Sequence, residues 1–91
     1  MTENLSSMIE DVLRKTLGPY GFDHVEIRED VDHADEPALF IDAWLKPNAP
    51  FISGKVSSKA HGALSDALLK QGERRFPYLF IRHPDDEHAE P

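Results

Sequence analysis

The second half of the chain contains the residue types of a hydrolytic triad within one short segment. His61, Ser65 and Asp66 lie within six positions of each other. In the helix predicted for this segment, His61 and Ser65 are one turn apart, whereas Asp66 points about 100° away from Ser65. A triad requires its three groups to be aligned. The sequence also has no nucleophile elbow, phosphate-binding glycine loop or dinucleotide fingerprint. We therefore expect a protein that is not an enzyme and needs no cofactor.

A second group of residues could bind a divalent ion. Acidic residues and a histidine crowd one predicted loop: Asp30, Asp32, His33, Asp35 and Glu36. An EF-hand loop would need a glycine where Asp35 stands and a further ligand where Ala34 stands. The spacing therefore favours a solvated acidic turn and predicts no metal site, and a divalent-ion-binding protein remains an alternative function.

The most informative residues are four aromatics in two predicted strands. Phe40 and Trp44 lie in the run 38–46, and Tyr78 and Phe80 lie in the run 78–82. Successive side chains of a strand point to opposite faces of the sheet. In both runs, aliphatic residues already occupy the alternate positions, so helices can cover the aliphatic face while the aromatics occupy the other one.

Four aromatics on one uncovered face predict an interaction surface. Each large aromatic side chain can bury about 150–250 Å², so four together could form a patch at or above the roughly 300–600 Å² that is typical of the largest apolar patch on a monomer. We expect Arg28 and Asp42 to pair across the neighbouring strands and fix the register. Two alternatives remain open: the segment 47–54 could cover the face through Phe51 and Ile52, or the strands could depart from strict alternation.

The elements that position these residues follow from hydrophobic periodicity. A helical stripe from Leu5 to Leu17 ends at Gly18-Pro19, where proline cannot continue the helix. Strands are predicted at 23–31, 38–46 and 76–82. A second helix carries a stripe from Ala60 to Leu68; it is expected to begin at a cap formed by Ser57 or Ser58 and to stop at Gly72.

The order α-β-β-α-β predicts an α+β fold. We expect a two-layer sandwich in which two helices cover one face of a three-stranded, mainly antiparallel sheet. Placing the third strand beside the first gives the strand order 2-1-3, with all strands antiparallel. The order 1-2-3, with a parallel last pair, is the competing arrangement.

This order of elements resembles the N-terminal domain of a ribosome maturation factor, or a KH-like module. The likeness rests on the topology and on Leu17-Gly18 and Gly21-Phe22 before the first strand, and no motif within 51–91 matches. The resemblance implies an RNA-binding or ribosome-associated module as an alternative function. The residues themselves allow the same alternative, since the aromatic face could bind RNA together with Lys55, Lys59, Arg74 and Arg75. The GxxG spelling of Gly18–Gly21 is interpreted here as a turn.

Composition limits the remaining possibilities. The 91 residues form one expected domain, 1–82, followed by an acidic tail, 83–91, that is expected to be disordered. The net charge of −7 makes nucleic acid an unlikely partner. There is no cysteine and no apolar stretch long enough to cross a membrane. We therefore expect a cytoplasmic interaction domain that forms a homo-oligomer or binds a protein partner.

Overall fold

The computed structural model describes residues 3–84 and confirms the predicted order of elements. The elements are α1 (Glu3–Leu17), a 3₁₀ turn (Gly18–Tyr20), β1 (Phe22–Val31), β2 (Pro37–Leu45), α2 (Gly54–Lys70) and β3 (Phe76–Arg82). Most of the predicted tail, 83–91, lies outside the described residues. Within residues 3–84, neither helix is long and apolar enough to cross a membrane.

The α1 helix ends where the glycine and proline predict. Pro19 lies in the first turn of the short 3₁₀ segment, and Gly21 then takes a left-handed conformation with φ of 96°. A side chain at Gly21 would place its Cβ 2.9 Å from the Cβ of Ala49. The GxxG sequence is therefore a tight turn between a helix and a strand, as expected.

The start of α2 differs from the prediction. Ser53, and not Ser57 or Ser58, is the N-cap, and its hydroxyl accepts a hydrogen bond from the Val56 backbone N–H. The apolar stripe alone placed the start too late, because the first turn of α2 packs only Val56 against the core. Gly72, with φ of 82°, follows the end of α2 as expected.

The strand order is β1-β2-β3, so β2 is the central strand. β1 pairs with β2 antiparallel, and β3 pairs with β2 parallel. The order 2-1-3 and its all-antiparallel sheet are therefore wrong, and the competing arrangement is the one observed. The sheet is mixed, and both β1 and β3 are edge strands.

Both helices pack on one face of this sheet. Alternate residues of β2, from Leu39 to Leu45, are fully or almost fully buried. They form one core with a stripe from each helix, which comprises Ile9, Leu13 and Leu17 of α1 and Ala60, Leu64 and Leu68 of α2. Burial of these side chains is the main stabilising contribution, at about 1.5–3 kcal/mol for each large aliphatic residue. Neither of the two helices of residues 3–84 packs on the opposite face of the sheet.

Candidate interaction surface

The uncovered side of the sheet, called here the open face, carries every residue predicted for the site. Residues that lie opposite each other on the three paired strands form rows across this face. Across β1, β2 and β3 the rows are Asp30–Ala38–Phe76, Arg28–Phe40–Tyr78, Glu26–Asp42–Phe80 and His24–Trp44–Arg82. The structure therefore brings Arg28, Phe40, Asp42, Trp44, Tyr78 and Phe80 onto one surface.

Aromatic rings pack against one another along one half of the open face. The rings of Phe40 and Tyr78 are stacked, with centroids 5.2 Å apart and planes 11° apart. Phe76 meets Tyr78 edge-on at 4.7 Å. The Arg28 guanidinium lies 5.4 Å from the Phe40 ring centroid, within the range of a cation–π contact. The rings are thus held in place by neighbours on adjacent strands.

Asp42 lies at the centre of the open face and is only 7% exposed. Its Oδ1 accepts a hydrogen bond from Arg82 Nε at 3.0 Å, and its Oδ2 accepts one from Arg28 Nη2 at 3.5 Å. The predicted Arg28–Asp42 pair therefore exists as the longer, diagonal contact, because the residue directly opposite Arg28 is Phe40. Two arginines compensate the buried carboxylate, as a buried charge requires.

Trp44 is half-buried and lies outside the core. Its Nε1 donates a hydrogen bond to Glu26 Oε1 at 3.1 Å. The His24 imidazole lies parallel to its ring, with centroids 6.0 Å apart. Both partners belong to β1, so the indole is held against the neighbouring strand with one side toward solvent.

Tyr78 connects the open face to the acidic loop. Its hydroxyl donates a hydrogen bond to Asp32 Oδ2 at 3.0 Å. Hydrogen bonds from the backbone N–H groups of Glu36 and Ala34, together with the Tyr78 hydroxyl, lower the pKa of Asp32. The Asp32 carboxylate in turn raises the pKa of Tyr78. The Asp32 carboxylate therefore accepts three hydrogen bonds within the protein, and residues 3–84 contain no group of three potential ligands placed to hold a metal ion.

Nothing in the described chain covers the open face. The segment 47–54 was the alternative cover, but Phe51 is 87% exposed and Ile52 belongs to the core beneath the helices. Phe76 and Phe80 are 51% and 37% exposed. Phe76 was missing from the predicted site, although its spacing of two from Tyr78 and of four from Phe80 is a signal that it shares their face.

None of the basic residues proposed for RNA binding lies in the rows of the open face. Arg75 is bound by Glu73 and Glu29, each at 2.8 Å. The hydrogen bonds from Arg75 lower the pKa of Glu73 to about 2. Lys59 and Lys15 instead line a cavity of about 260 Å³ between the helices, on the other side of the sheet.

The residues with triad chemistry have separate structural partners. His61 Nε2 donates a hydrogen bond to the Pro77 carbonyl oxygen at 2.8 Å, at the edge formed by β3. The His61 ring also lies 5.5 Å from that of Phe76. Asp66 forms an i,i+4 ion pair with Lys70 at 3.3 Å. His61 therefore satisfies the backbone carbonyl of Pro77 at the outer edge of β3, and is called here the cap on β3.

The open face thus combines packed aromatic rings, two arginines and a compensated central carboxylate. Comparison of the chain with family models, curated proteins and solved structures finds no match. The function proposed below is therefore argued from the geometry of this surface.

Proposed function

We propose that this protein is a non-catalytic interaction domain that homodimerises through the open face. The observation that carries the proposal is an aromatic sheet face that no element of residues 3–84 covers. Sheets stack face to face at about 10 Å, with their side chains in contact. A second copy stacked in this way would bury the exposed parts of Phe76, Phe80 and Trp44.

The composition of the open face is typical of a protein interface. Interfaces are enriched in tyrosine, tryptophan, phenylalanine and arginine and depleted in lysine. The binding energy also concentrates on tryptophan, tyrosine and arginine. Two of the five arginines of the chain, Arg28 and Arg82, lie in the rows of the open face, and none of the five lysines does.

The open face carries charges of both signs, and a second copy can bring opposite charges together. Glu26 and Asp30 lie on β1, and Arg82 lies at the opposite edge on β3. A two-fold axis parallel to the strands places β1 of one copy against β3 of the other. Because Arg28 and His24 also lie on the open face of β1, the facing edges carry charges of both signs. Glu26 of each copy then lies one row from Arg82 of the other, and this pair of opposite charges occurs twice in the dimer.

The size of the open face predicts a weak dimer. Three strands of seven to ten residues, with a rise of about 3.3 Å and a spacing of about 4.8 Å, cover roughly 400 Å². A standard stable interface buries about 800 Å² on each partner. We therefore expect a dissociation constant in the micromolar range or weaker.

Light scattering after size exclusion, over a wide concentration range, tests the proposal. We expect a mass that rises from monomer to dimer, and Trp44→Ala should keep the protein monomeric with an unchanged circular dichroism spectrum. Phe51→Ala is the matched control, because Phe51 is an exposed aromatic away from the open face. A Trp44→Ala protein that associates as strongly as the parent would overturn the proposal.

A further inference from the structure

We propose a second self-association site: β1 pairs antiparallel with β1 of another copy, around a two-fold axis at Ile27. The two sheets would join into one continuous sheet of six strands. This inference does not rest on the proposed function, because edge pairing leaves the open face uncovered. It also doubles the width of that face.

The hydrogen-bonding pattern of β1 identifies the groups at its outer edge. The Asp32 N–H donates to the Glu36 carbonyl at 2.9 Å, in the same register as the strand pairs. Bonded and non-bonded pairs alternate in an antiparallel ladder. The backbone N–H and C=O groups of the even-numbered residues of β1, from His24 to Asp30, therefore bond to β2. Those of Val25, Ile27 and Val31 point away from β2, toward the outer edge of the sheet. In agreement, the Val31 N–H donates to Asp30 Oδ1 and not to β2.

The outer edge of β1 is protected against strand pairing mainly by its charged side chains. β1 is ten residues long and contains no proline, glycine or lysine. Native edge strands are normally short, or are blunted by proline, by charged side chains or by a covering element, and of these β1 has the charged side chains. The only irregularity is a register shift between Phe22 and His24, at the beginning of the strand. Among residues 3–84, β2 is the only strand that pairs with β1.

The charged residues on the open face of β1 are arranged symmetrically around Ile27. In an antiparallel pair centred on this residue, Glu26 of each copy faces Arg28 of the other, and His24 faces Asp30. These are the non-bonded positions, where the side chains of opposite residues lie closest. Both kinds of pair occur twice in the dimer, and neither brings like charges together.

The neighbouring registers of the β1–β1 pair are less favourable. A two-fold axis at Glu29 would place Glu26 against Asp32 of the other copy, and an axis at Val25 would place Arg28 against Phe22. Only the centre at Ile27 matches Glu26 with Arg28 and His24 with Asp30 at once. It also packs the half-buried Ile27 side chain against its symmetry mate. The partner that fits this edge is therefore a second copy of the same chain.

A single introduced cysteine tests the register, because the chain has none of its own. Opposite residues of a bonded pair have Cα atoms about 5.5 Å apart, within the range of a disulfide. Ile27→Cys should therefore oxidise to a covalent dimer. Val31→Cys is the matched control on the same edge, since its symmetry mate would lie about 27 Å away. Equal cross-linking of the two variants would overturn the proposal.

Charge exchange tests the same register without a covalent bond. Arg28→Glu alone and Glu26→Arg alone should each weaken association at least about tenfold, because two attractive pairs become repulsive. An equimolar mixture of these variants, and the double variant Glu26→Arg/Arg28→Glu, should recover it. If neither the mixture nor the double variant recovers association, the proposed pairing is wrong.

Amide hydrogen exchange on the unmodified protein separates this site from the open face. Edge pairing predicts that exchange of the Val25 and Ile27 amides slows as the concentration rises from micromolar to millimolar, and that it does so equally in Trp44→Ala. Stacking of open faces does not bond these amides. Unchanged exchange across that range would exclude edge pairing, whatever the light scattering shows.

Discussion

The two edges of the sheet differ in how they present their backbone. At β3, Pro77 has no N–H to offer, and its carbonyl oxygen accepts a hydrogen bond from His61. At β1, the strand is longer, has no proline and carries alternating acidic and basic side chains. The comparison indicates that β3 is closed to strand addition where it begins, whereas β1 is the edge at which we propose that a second copy pairs.

The two edges also share a feature, since a glycine with positive φ precedes each edge strand. Gly21 precedes β1, and a Cβ at this position would clash with Ala49, whereas a Cβ at Gly72, which precedes β3, would lie in open space. We expect Gly21→Ala to lower the free energy of unfolding by about 2–3 kcal/mol, because backbone strain and a steric clash add. Gly72→Ala should cost about 1 kcal/mol, from strain alone. Urea denaturation measures both, and equal losses would show that the contact with Ala49 relaxes freely.

A smaller effect is expected from the ion pairs that connect the two edges. Arg75, next to β3, bonds Glu29 of β1 and Glu73. Glu73→Gln should lower the free energy of unfolding by about 1–2 kcal/mol at pH 7. The Glu73 pKa is about 2, below its ordinary 4.5, so this contribution is complete above pH 4.5 and disappears as the pH falls toward 2.

Denaturation of the Glu73→Gln variant at pH 7 and at pH 3 checks this sign. The difference from the parent protein should shrink at the lower pH. Glu10→Gln serves as the control, because the Glu10–Arg14 pair is exposed on one helix and should contribute at most about 0.5 kcal/mol. A difference that grew on acidification would contradict the assignment.

The smallest effect is expected from removing the cap on β3. His61→Ala should cost about 1 kcal/mol, because the Pro77 carbonyl loses its hydrogen-bond donor. It should also make β3 more accessible to other chains, and so increase association at high concentration. His61→Gln keeps an N–H donor and should behave more like the parent protein. Thermal unfolding and light scattering together measure both effects, and a stable, unchanged His61→Ala protein would mean that Pro77 alone protects this edge.

The helices and strands, and their order along the chain, were predictable because each element has a strong hydrophobic period. The order of the strands within the sheet was not predictable, since 2-1-3 and 1-2-3 give every strand the same aliphatic face. A signal for the correct order was nevertheless present. β2 has apolar residues on both faces, as is typical of a central strand. β1 has charged residues on one face, and β3 contains Pro77, and both features are typical of edge strands.

For the candidate site, alternation predicted which residues share the open face but not how they pair. The register places Phe40 opposite Arg28, so the contact with Asp42 is diagonal. The Arg82–Asp42 pair depends on β3 lying beside β2, which the sequence left open. Side-chain pairing across strands depends on register, and register is a long-range property that local patterns do not fix.

The parallel pairing of β2 with β3 also has a consequence for the order of folding. Every β2–β3 pair joins residues 38 positions apart, as in Ala38 with Phe76, whereas β1 and β2 are joined by a short loop. Contacts between distant residues form late, because the intervening chain must first be ordered. During synthesis β3 also leaves the ribosome after its partner strand. The most apolar strand of the protein therefore has one unpaired side until β3 arrives, and that interval is when a nascent chain is most prone to aggregate.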